Sequence, residues 1–285
     1  MNWRLKIFAK IVLHHLPINY KFWQKIGLFR LGSMEQYEYA EKIFLLHTNR
    51  AFPDLIPVNS TFLELGPGDS LSSAILANAS GIKKIYLVDV GNYINDDMSI
   101  YRKLTDKIRK KNKNCIDANT IESVEALLQA CNAIYLTNGL DSLKEIPDSN
   151  IDFVWSHSVL EHIRKRDFEN TFIELKRIIK SGGLMSHNVD FMDHLGGALN
   201  NLRFNEKIWE SNFFSDSGFY TNRIRYSEIE ALFNELGFNI IESNYSSWEK
   251  LPTPKKKMGL TFQNFSETDL KIQCGHFLVK KYEIS

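Results

Sequence analysis

Short apolar runs alternate with longer amphipathic stretches along most of this 285-residue chain. Five apolar runs of four to seven residues have the length of buried strands, and helical stretches separate them. The alternation of strands and helices predicts an α/β fold, with a mostly parallel sheet covered by helices on both faces. The five predicted strands are Thr61–Leu65, Ile85–Val90, Ala133–Leu136, Ile151–Ser156 and Gly183–Val189.

After the fifth predicted strand, the segment 188–225 is long for a connection and rich in polar and aromatic residues. Long structured connections in compact domains usually serve a purpose, so we interpret it as a lid or acceptor pocket. The alternative is a layer that only covers the core. Beyond it the pattern predicts a helix at Tyr226–Leu236, a strand at Asn239–Ser243 and a last strand at Gly275–Tyr282.

The first 34 residues are basic and contain no acidic residue. Apolar residues recur there at near-helical spacing, which predicts an amphipathic helical extension. The extension either packs on the domain or on a second subunit, or it lies on an anionic lipid surface. The basic residues are Arg4, Lys6, Lys10, Lys21, Lys25 and Arg30, and the apolar ones include Trp3, Ile7, Phe8, Ile11, Leu16, Phe22, Trp23, Ile26, Leu28 and Phe29.

A proline-containing segment separates this extension from the alternating pattern. A helix is predicted near Met34–Thr48, and Phe52–Asn59 contains Pro53 and Pro57, as linkers often do. We therefore predict a helical extension at residues 1–57 and one catalytic domain at 58–285, with the insertion at about 188–225.

Charge and cysteine content narrow the classes of function. The 35 Lys and Arg residues nearly balance 34 Asp and Glu residues, so the chain as a whole has no attraction for nucleic acid. The three cysteines lack Cys-x-x-Cys spacing, which argues against a disulfide framework or a zinc ribbon and fits a reducing cytoplasm. No apolar run reaches the roughly 18 residues of a spanning helix. We expect a cytoplasmic protein.

A glycine turn follows the first predicted strand. Gly66 and Gly68 let the backbone pass close to a ligand at a strand-to-helix turn. A dinucleotide fingerprint needs a third glycine at position 71, where this chain has Leu71, so NAD and FAD are disfavoured. S-adenosylmethionine, whose anionic group is a carboxylate, is compatible with the turn. Asp89 ends the second strand, where a carboxylate can accept hydrogen bonds from both ribose hydroxyls.

Two further segments complete the pattern. Ile151–His162 is interpreted as a strand that leads through a loop into the start of a helix. Ile178–Leu184 is interpreted as the end of a helix, a glycine turn and a further strand. With the glycine turn and Asp89, these motifs resemble the class I S-adenosylmethionine-dependent methyltransferases over about residues 61–281. The resemblance implies a Rossmann-like sheet of seven strands, with the last strand antiparallel between strands five and six. It also implies S-adenosylmethionine as the cofactor.

The resemblance assigns cofactor contacts to four parts of the chain. Position 70 is Ser where many members have glycine, and Asp141 is the nearest acid for the adenine amino group. The implied contacts are Glu64, Gly66 and Gly68 at the methionine end, Asp89 at the ribose, Asn138, Gly139 and Leu140 at the adenine, and Ser156, His157 and His162 beside the methyl donor.

Candidate catalytic groups follow the fifth predicted strand, at the carboxyl edge of the sheet where reacting ligands lie. His187, Asp190 and His194 suit a general base with an orienting carboxylate. A divalent metal site and a structural hydrogen-bonded cluster are the alternatives; we assign no metal. His157 is a second candidate base.

The insertion also contains candidate acceptor contacts, since amides and aromatic rings suit sugar hydroxyls and arginines suit phosphate or carboxylate. A solvated, salt-bridged surface is the alternative. The candidates are Asn201, Arg203, Tyr220, Asn222 and Arg223.

The stretch His187–Arg225 contains a His-x-x-Asp-x-x-Asp-His pattern and the run Gly218–Arg223. With these motifs it is similar to bacterial methyltransferases associated with surface-polysaccharide assembly. That likeness implies O-methylation of a sugar hydroxyl or a phosphate-type group of capsule or lipopolysaccharide, at the inner face of the membrane. We expect a small-molecule or glycan acceptor, no nucleic acid, peripheral membrane contact through residues 1–34, and a homodimer. A nucleic-acid methyltransferase, suggested by the basic tracts 102–113 and 255–257, and a non-catalytic module that binds S-adenosylmethionine are the competing hypotheses.

Overall fold

The computed structural model describes residues 3–14, 33–111 and 114–282. Its strands are β1 (Thr61–Leu65), β2 (Lys84–Val88), β3 (Ala133–Leu136), β4 (Ile151–His157), β5 (Ile179–Asp190), β6 (Phe238–Ser247) and β7 (Ile272–Lys281). Its α-helices are α1 (Trp3–His14), α2 (Tyr37–Ala51), α3 (Ser72–Ala79), α4 (Met98–Lys111), α5 (Val124–Ala130), α6 (Leu140–Lys144), α7 (Lys165–Ile178), α8 (Glu206–Trp209), α9 (Asn212–Ser215), α10 (Tyr226–Glu235), α11 (Leu260–Gln263) and α12 (Glu267–Leu270).

The strands of the described residues form one seven-stranded sheet in the order β3-β2-β1-β4-β5-β7-β6. β1 pairs in parallel with β2 and with β4, and β2 pairs in parallel with β3. The last strands of the mixed sheet are antiparallel, and β7 lies between β5 and β6. The predicted fold class is therefore confirmed, including the position of the last strand.

Most predicted elements agree with the structure to within a few residues, and one does not. β1 and β3 have the predicted bounds, whereas β5 begins at Ile179, directly after α7. The expected glycine turn between them is wrong. Gly182 lies inside the strand with φ of 76°, a left-handed conformation that glycine adopts without strain.

The chain divides into two compact units, which we name after one of their strands. The β1 unit contains the described residues of Ile18–His157, Ile173–His187 and Lys280–Ser285, and the β6 unit those of Met1–Pro17, Ser158–Phe172 and Asn188–Val279. These units do not follow the sequence-based boundary near residue 58, and that domain division stays a prediction.

Aromatic rings on the central strands form the core of the β1 unit. The rings of Phe62 and Phe153 have centroids 5.1 Å apart, and Phe153 stacks on Trp155 at 5.7 Å. Phe44 of α2 meets Trp155 edge-on at 5.9 Å. Alternating strand positions point to one face of a sheet, so these rings together cover the face on which α2 packs.

The β6 unit has a buried arginine among its aromatic residues. Arg225 is 1% exposed, and its guanidinium donates to the carbonyl oxygens of Phe191, Asp269 and Ile272 at 3.0 to 3.1 Å. Tyr226 stacks on Phe277 with centroids 4.6 Å apart. The arginine satisfies carbonyls at chain turns that would otherwise be buried without partners.

Helix α1 belongs to the β6 unit and packs through one face. Trp3, Ile7 and Ile11, at the spacing of helical turns, lie against a cluster that includes Trp209 and Phe219. The opposite face is solvent-exposed. The other basic and aromatic residues of the predicted extension, from Lys21 to Arg30, lie outside the described residues. Among the helices described, none is long and apolar enough to cross a membrane.

Candidate active site

The turn after β1 has the conformation that the glycine pattern predicts. Gly66 and Gly68 have φ of 70° and 67°, in the left-handed region where residues with a Cβ are strained. The Gly66 amide donates to the carbonyl oxygen of Val88 at 2.8 Å, which fixes the turn to the end of β2. The backbone is therefore held in a bend that a ligand can approach closely.

Asp89, directly after β2, contacts this turn. Its Oδ2 accepts from the Gly68 amide at 3.2 Å and its Oδ1 from the Val90 amide at 2.7 Å. Burial raises the pKa of Asp89 to about 6, and the two amide hydrogen bonds oppose that effect. The glycine turn and the carboxylate are thus in direct contact, so one nucleoside-sized ligand can touch both.

Glu64 near the end of β1 is a buried carboxyl in the same region. It is 4% exposed, and its Oε2 has no hydrogen-bond partner among the described residues. Burial raises its pKa to about 7, while nearby Ser73 and Trp155 lower it and the charge of Asp89 adds to the rise. A buried acceptor without a partner is costly, so this oxygen suits an amino group of a bound ligand.

The loop after β3 contacts the same region. The Gly139 amide donates to the backbone carbonyl of Asp89 at 2.8 Å, and the Asn138 amide donates to Ser142 Oγ at 2.9 Å. Gly139 has φ of 55°, and a Cβ there would lie 3.0 Å from Val90 Cγ1. The loop predicted to lie at the adenine is therefore close to Asp89 in space. It consists of Asn138, Gly139 and Leu140.

Two pairs of polar side chains lie near the ends of β4 and β5. Ser156 Oγ and His187 Nδ1 are 2.8 Å apart, and both residues are fully buried. His157 Nδ1 is 3.2 Å from His47 Nε2, and His47 Nδ1 is 2.7 Å from Ser186 Oγ. His47 was not among the residues predicted from sequence. The signal that could have identified it is its position as a lone imidazole on the apolar face of α2.

The contact with His47 leaves His157 able to act as a general base. Its ring is partly exposed and keeps Nε2 for a proton, since Nδ1 faces His47. Burial lowers the pKa of His157, and the charges of Lys42 and Arg50 lower it further. The imidazole is thus neutral near pH 7.

The β6 unit contains the other predicted polar residues. His194 Nε2 lies 3.7 Å from Asp190 Oδ2, as expected of a base with a carboxylate. The rings of His162 and His194 are 4.7 Å apart, and burial, together with His194, lowers the pKa of His162 to about 4. His187, which we grouped with Asp190 and His194, instead bonds to Ser156 in the β1 unit.

The five candidate acceptor residues make hydrogen bonds within the β6 unit. Arg223 pairs with Glu206 at 2.8 Å and Glu210 at 3.4 Å, and it is 4% exposed. These bonds favour the structural alternative, and substrate contact through these residues stays a prediction. Asn201 donates to Thr221, Arg203 to Asn200, Tyr220 to Glu210, and Asn222 to the carbonyls of Leu160 and Ile163.

The β6 unit also has a surface recess of about 280 Å³. Arg164, Lys165 and Arg166 line it together with Glu206 and Glu210. Lys165 pairs with Glu206 at 2.7 Å, so part of the basic charge is already neutralised.

Comparisons with known proteins find a methyltransferase-domain match and a shared fold. A family model described as a methyltransferase domain matches residues 103–186. A search of curated proteins gave no significant match. Among solved structures, a protein described as a sarcosine dimethylglycine methyltransferase from Galdieria sulphuraria is 14% identical, with a TM-score of 0.51 over 92% of this chain and 97% of its own.

A second solved structure, phosphoethanolamine N-methyltransferase 2 of Haemonchus contortus in complex with S-adenosyl-L-methionine, is 16% identical. The match has a TM-score of 0.50 and covers 92% of this chain and 60% of that one. At these identities the likeness establishes the fold. The chain has the Rossmann-like fold of the class I methyltransferases, with a methyltransferase-domain match in its central part.

Proposed function

We propose that this protein is an S-adenosylmethionine-dependent methyltransferase that O-methylates a sugar hydroxyl or a phosphate-type group during bacterial surface-glycan synthesis. The observation that carries the first part is the contact between the left-handed glycine turn and Asp89, at 3.2 Å. The methyltransferase-domain match and the fold support S-adenosylmethionine as the cofactor.

The residues of the β1 unit fit this cofactor. Asp89 keeps unused lone pairs for the two ribose hydroxyls, because a carboxylate offers about four acceptor positions and two are taken. Glu64 offers a buried oxygen without a partner, suited to the ammonium group of the methionine end. The sulfonium supplies an activated methyl group, so the protein mainly has to align the acceptor and exclude water.

O-methylation also requires a proton acceptor, since an attacking hydroxyl loses its proton. His157 is the candidate that the geometry favours, because its neutral imidazole keeps Nε2 for the proton while His47 orients the ring. His47 is in turn held by Ser186 at 2.7 Å. We propose His157 as the base and His47 as its positioning residue.

The acceptor class rests on the resemblance found in the sequence and on the polar surface of the β6 unit. The recess lined by Arg164, Lys165 and Arg166 suits an anionic sugar derivative better than a flat apolar molecule.

The test is transfer of label from methyl-labelled S-adenosylmethionine to nucleotide sugars and glycan extracts. We expect labelled product with the wild-type protein and a loss of at least tenfold with His157→Ala, measured at saturating cofactor. Asp54→Asn, at an exposed site away from the glycine turn, serves as the control. Cofactor binding without any labelled product would favour a binding module over an enzyme.

We also propose peripheral membrane contact through α1. Leu5, Phe8 and Val12 are 60%, 68% and 44% exposed and lie on the face opposite to the packed one. Arg4 and Lys6 flank this face, so charge complementarity favours an anionic lipid surface. A single face of three side chains gives weak, reversible attachment.

Vesicle sedimentation tests this contact. Wild-type protein should sediment with vesicles containing phosphatidylserine but not with neutral ones, and Phe8→Asp should abolish the effect. Leu260→Asp, at a residue that is 82% exposed elsewhere in the β6 unit, should leave it unchanged. A concentration-dependent dimer that Phe8→Asp dissolves, without vesicle binding, would assign the face to a second copy instead.

A further inference from the structure

Three potential metal-ligating side chains converge in the β6 unit. Glu161 and His162 belong to the short 3₁₀ turn Leu160–His162 after β4, and His194 follows β5. One ligand atom from each of the three lies within 4.8 Å of the others. This spacing is near that of donor atoms around one cation, given small rotations of the side chains.

Glu161 provides a second and independent observation. It is 3% exposed, and neither carboxylate oxygen has a hydrogen-bond partner among the described residues. The backbone amides of Glu161 and Asp190 lie nearby, and so does a second carboxyl group, that of Asp190. A buried carboxylate in such surroundings lacks a positive partner.

His162 is in the orientation that a ligating imidazole requires. Its Nδ1 lies 3.0 Å from the carbonyl oxygen of Tyr220, and a carbonyl can only accept, so Nδ1 carries the proton. The lone pair is then on Nε2, which remains for a ligand. A backbone carbonyl behind the second nitrogen is the usual arrangement that orients metal-bound histidine.

His194 is held by groups on two sides. The Asp190 carboxylate lies 3.7 Å from its Nε2 and can orient or charge-balance the ring. Lys10 donates to the backbone carbonyls of His194 and Gly218 at 3.3 and 3.4 Å. This ammonium group is a positive charge near the cluster, where two carboxyl groups, those of Glu161 and Asp190, also lie.

We propose that Glu161, His162 and His194 form a binding site for a divalent transition-metal ion. One carboxylate oxygen and two imidazole nitrogens favour Mn²⁺, Fe²⁺, Co²⁺ or Zn²⁺, whereas Mg²⁺ and Ca²⁺ prefer oxygen ligands alone. From sequence, the alternative metal site lay at His187, Asp190 and His194; the structure brings Glu161 and His162, rather than His187, to His194.

The test measures metal binding directly on the full chain after treatment with a chelator. Co²⁺ titration followed by visible absorption, and calorimetry with Zn²⁺, Mn²⁺ and Mg²⁺, give stoichiometry and affinity. We expect one equivalent of Co²⁺ or Zn²⁺ per chain, at least tenfold weaker binding by Glu161→Gln and by His194→Asn, and no competition from Mg²⁺. Glu169→Gln, at an exposed glutamate of α7, is the matched control and should bind as the wild type does.

Thermal unfolding separates metal loss from misfolding. Glutamine has the shape of glutamate, so metal-free Glu161→Gln should be at least as stable as the metal-free wild type, because it buries no charge. Added Zn²⁺ should raise the midpoint of the wild type and of Glu169→Gln by more than that of Glu161→Gln, by mass action. Less than 0.1 equivalent bound by the wild type, or equal affinities for Glu161→Gln and Glu169→Gln, would overturn the proposal.

Discussion

Replacing Asp89 by asparagine is the sharpest test of the cofactor pocket. Each carboxylate oxygen already accepts one backbone amide, from Gly68 and Val90, and has one position left for a ribose hydroxyl. Asparagine keeps one acceptor oxygen but turns an amino group toward the other amide. Toward the two ribose hydroxyls, the variant therefore loses one charge-assisted hydrogen bond and weakens the other, which costs about 1.5 to 3 kcal/mol of binding free energy in all.

That loss corresponds to a roughly 10- to 100-fold rise in Kd. The assay is calorimetry with S-adenosylhomocysteine at pH 8, with Asp54→Asn as the control for an exposed aspartate. Equal affinities for wild type and Asp89→Asn, in protein shown to be folded by circular dichroism, would refute the assignment of Asp89 to the ribose.

The pH dependence adds a second arm to the same experiment. Burial raises the pKa of Asp89 to about 6, and the ionised form is the better acceptor, so wild-type affinity should fall as the pH drops below 6. At pH 5 the loss attributable to this group is about tenfold. Glu64, with a pKa of about 7, titrates in both proteins, so the ratio of the two Kd values isolates Asp89. A ratio that is constant from pH 8 to pH 5 would contradict the reasoning.

Three further changes test the packing around the sites. Glu64→Gln should raise the unfolding free energy at pH 8 by about 1 to 3 kcal/mol. Because burial raises the pKa of Glu64, the wild-type folded state loses stability as the pH rises from 4.5 to about 7, and glutamine avoids that loss. Denaturant titration at pH 5 and pH 8 should show the gain only at pH 8. Arg225→Lys leaves buried carbonyl oxygens without donors, so the unfolding free energy measured in the same assay should fall by about 2 to 4 kcal/mol. The control Arg166→Lys, at an exposed arginine, should lower it by less than about 0.5 kcal/mol. Gly139→Ala forces a strained φ and a tight contact with Val90, so it should lower the melting midpoint and weaken S-adenosylhomocysteine binding together; an unchanged Kd would separate this loop from the adenine.

The fold was predictable because its signals are local. Each strand of the β1 unit is a short apolar run next to a turn residue, and the left-handed conformations at Gly66 and Gly68 agree with their glycine identity. The start of β5 was not predictable in the same way. Two adjacent glycines usually end a helix, whereas here the pairing of β5 with its neighbours keeps Gly182 inside a strand.

The site was predictable only where one residue contacts a nearby backbone turn. Asp89 and Gly68 lie 21 positions apart, and parallel pairing of β1 and β2 brings the ends of the two strands together. The contact between His47 and His157 spans 110 positions and depends on how α2 packs, which no local pattern specifies. Likewise, the sequence suggests that Arg223 binds an anionic acceptor. Its ion pairs with Glu206 and Glu210, which favour a structural role, are seen only in the structure.

The packing of α1 has a consequence for synthesis of the chain. Its inner face covers Trp209 and Phe219, so roughly 200 residues must be translated after Ile7 before that partner surface exists. At about 5 to 20 residues per second the wait is on the order of 10 to 40 s. During that interval both apolar faces of the nascent helix are uncovered at the ribosome, where a chaperone or a lipid surface can shelter them.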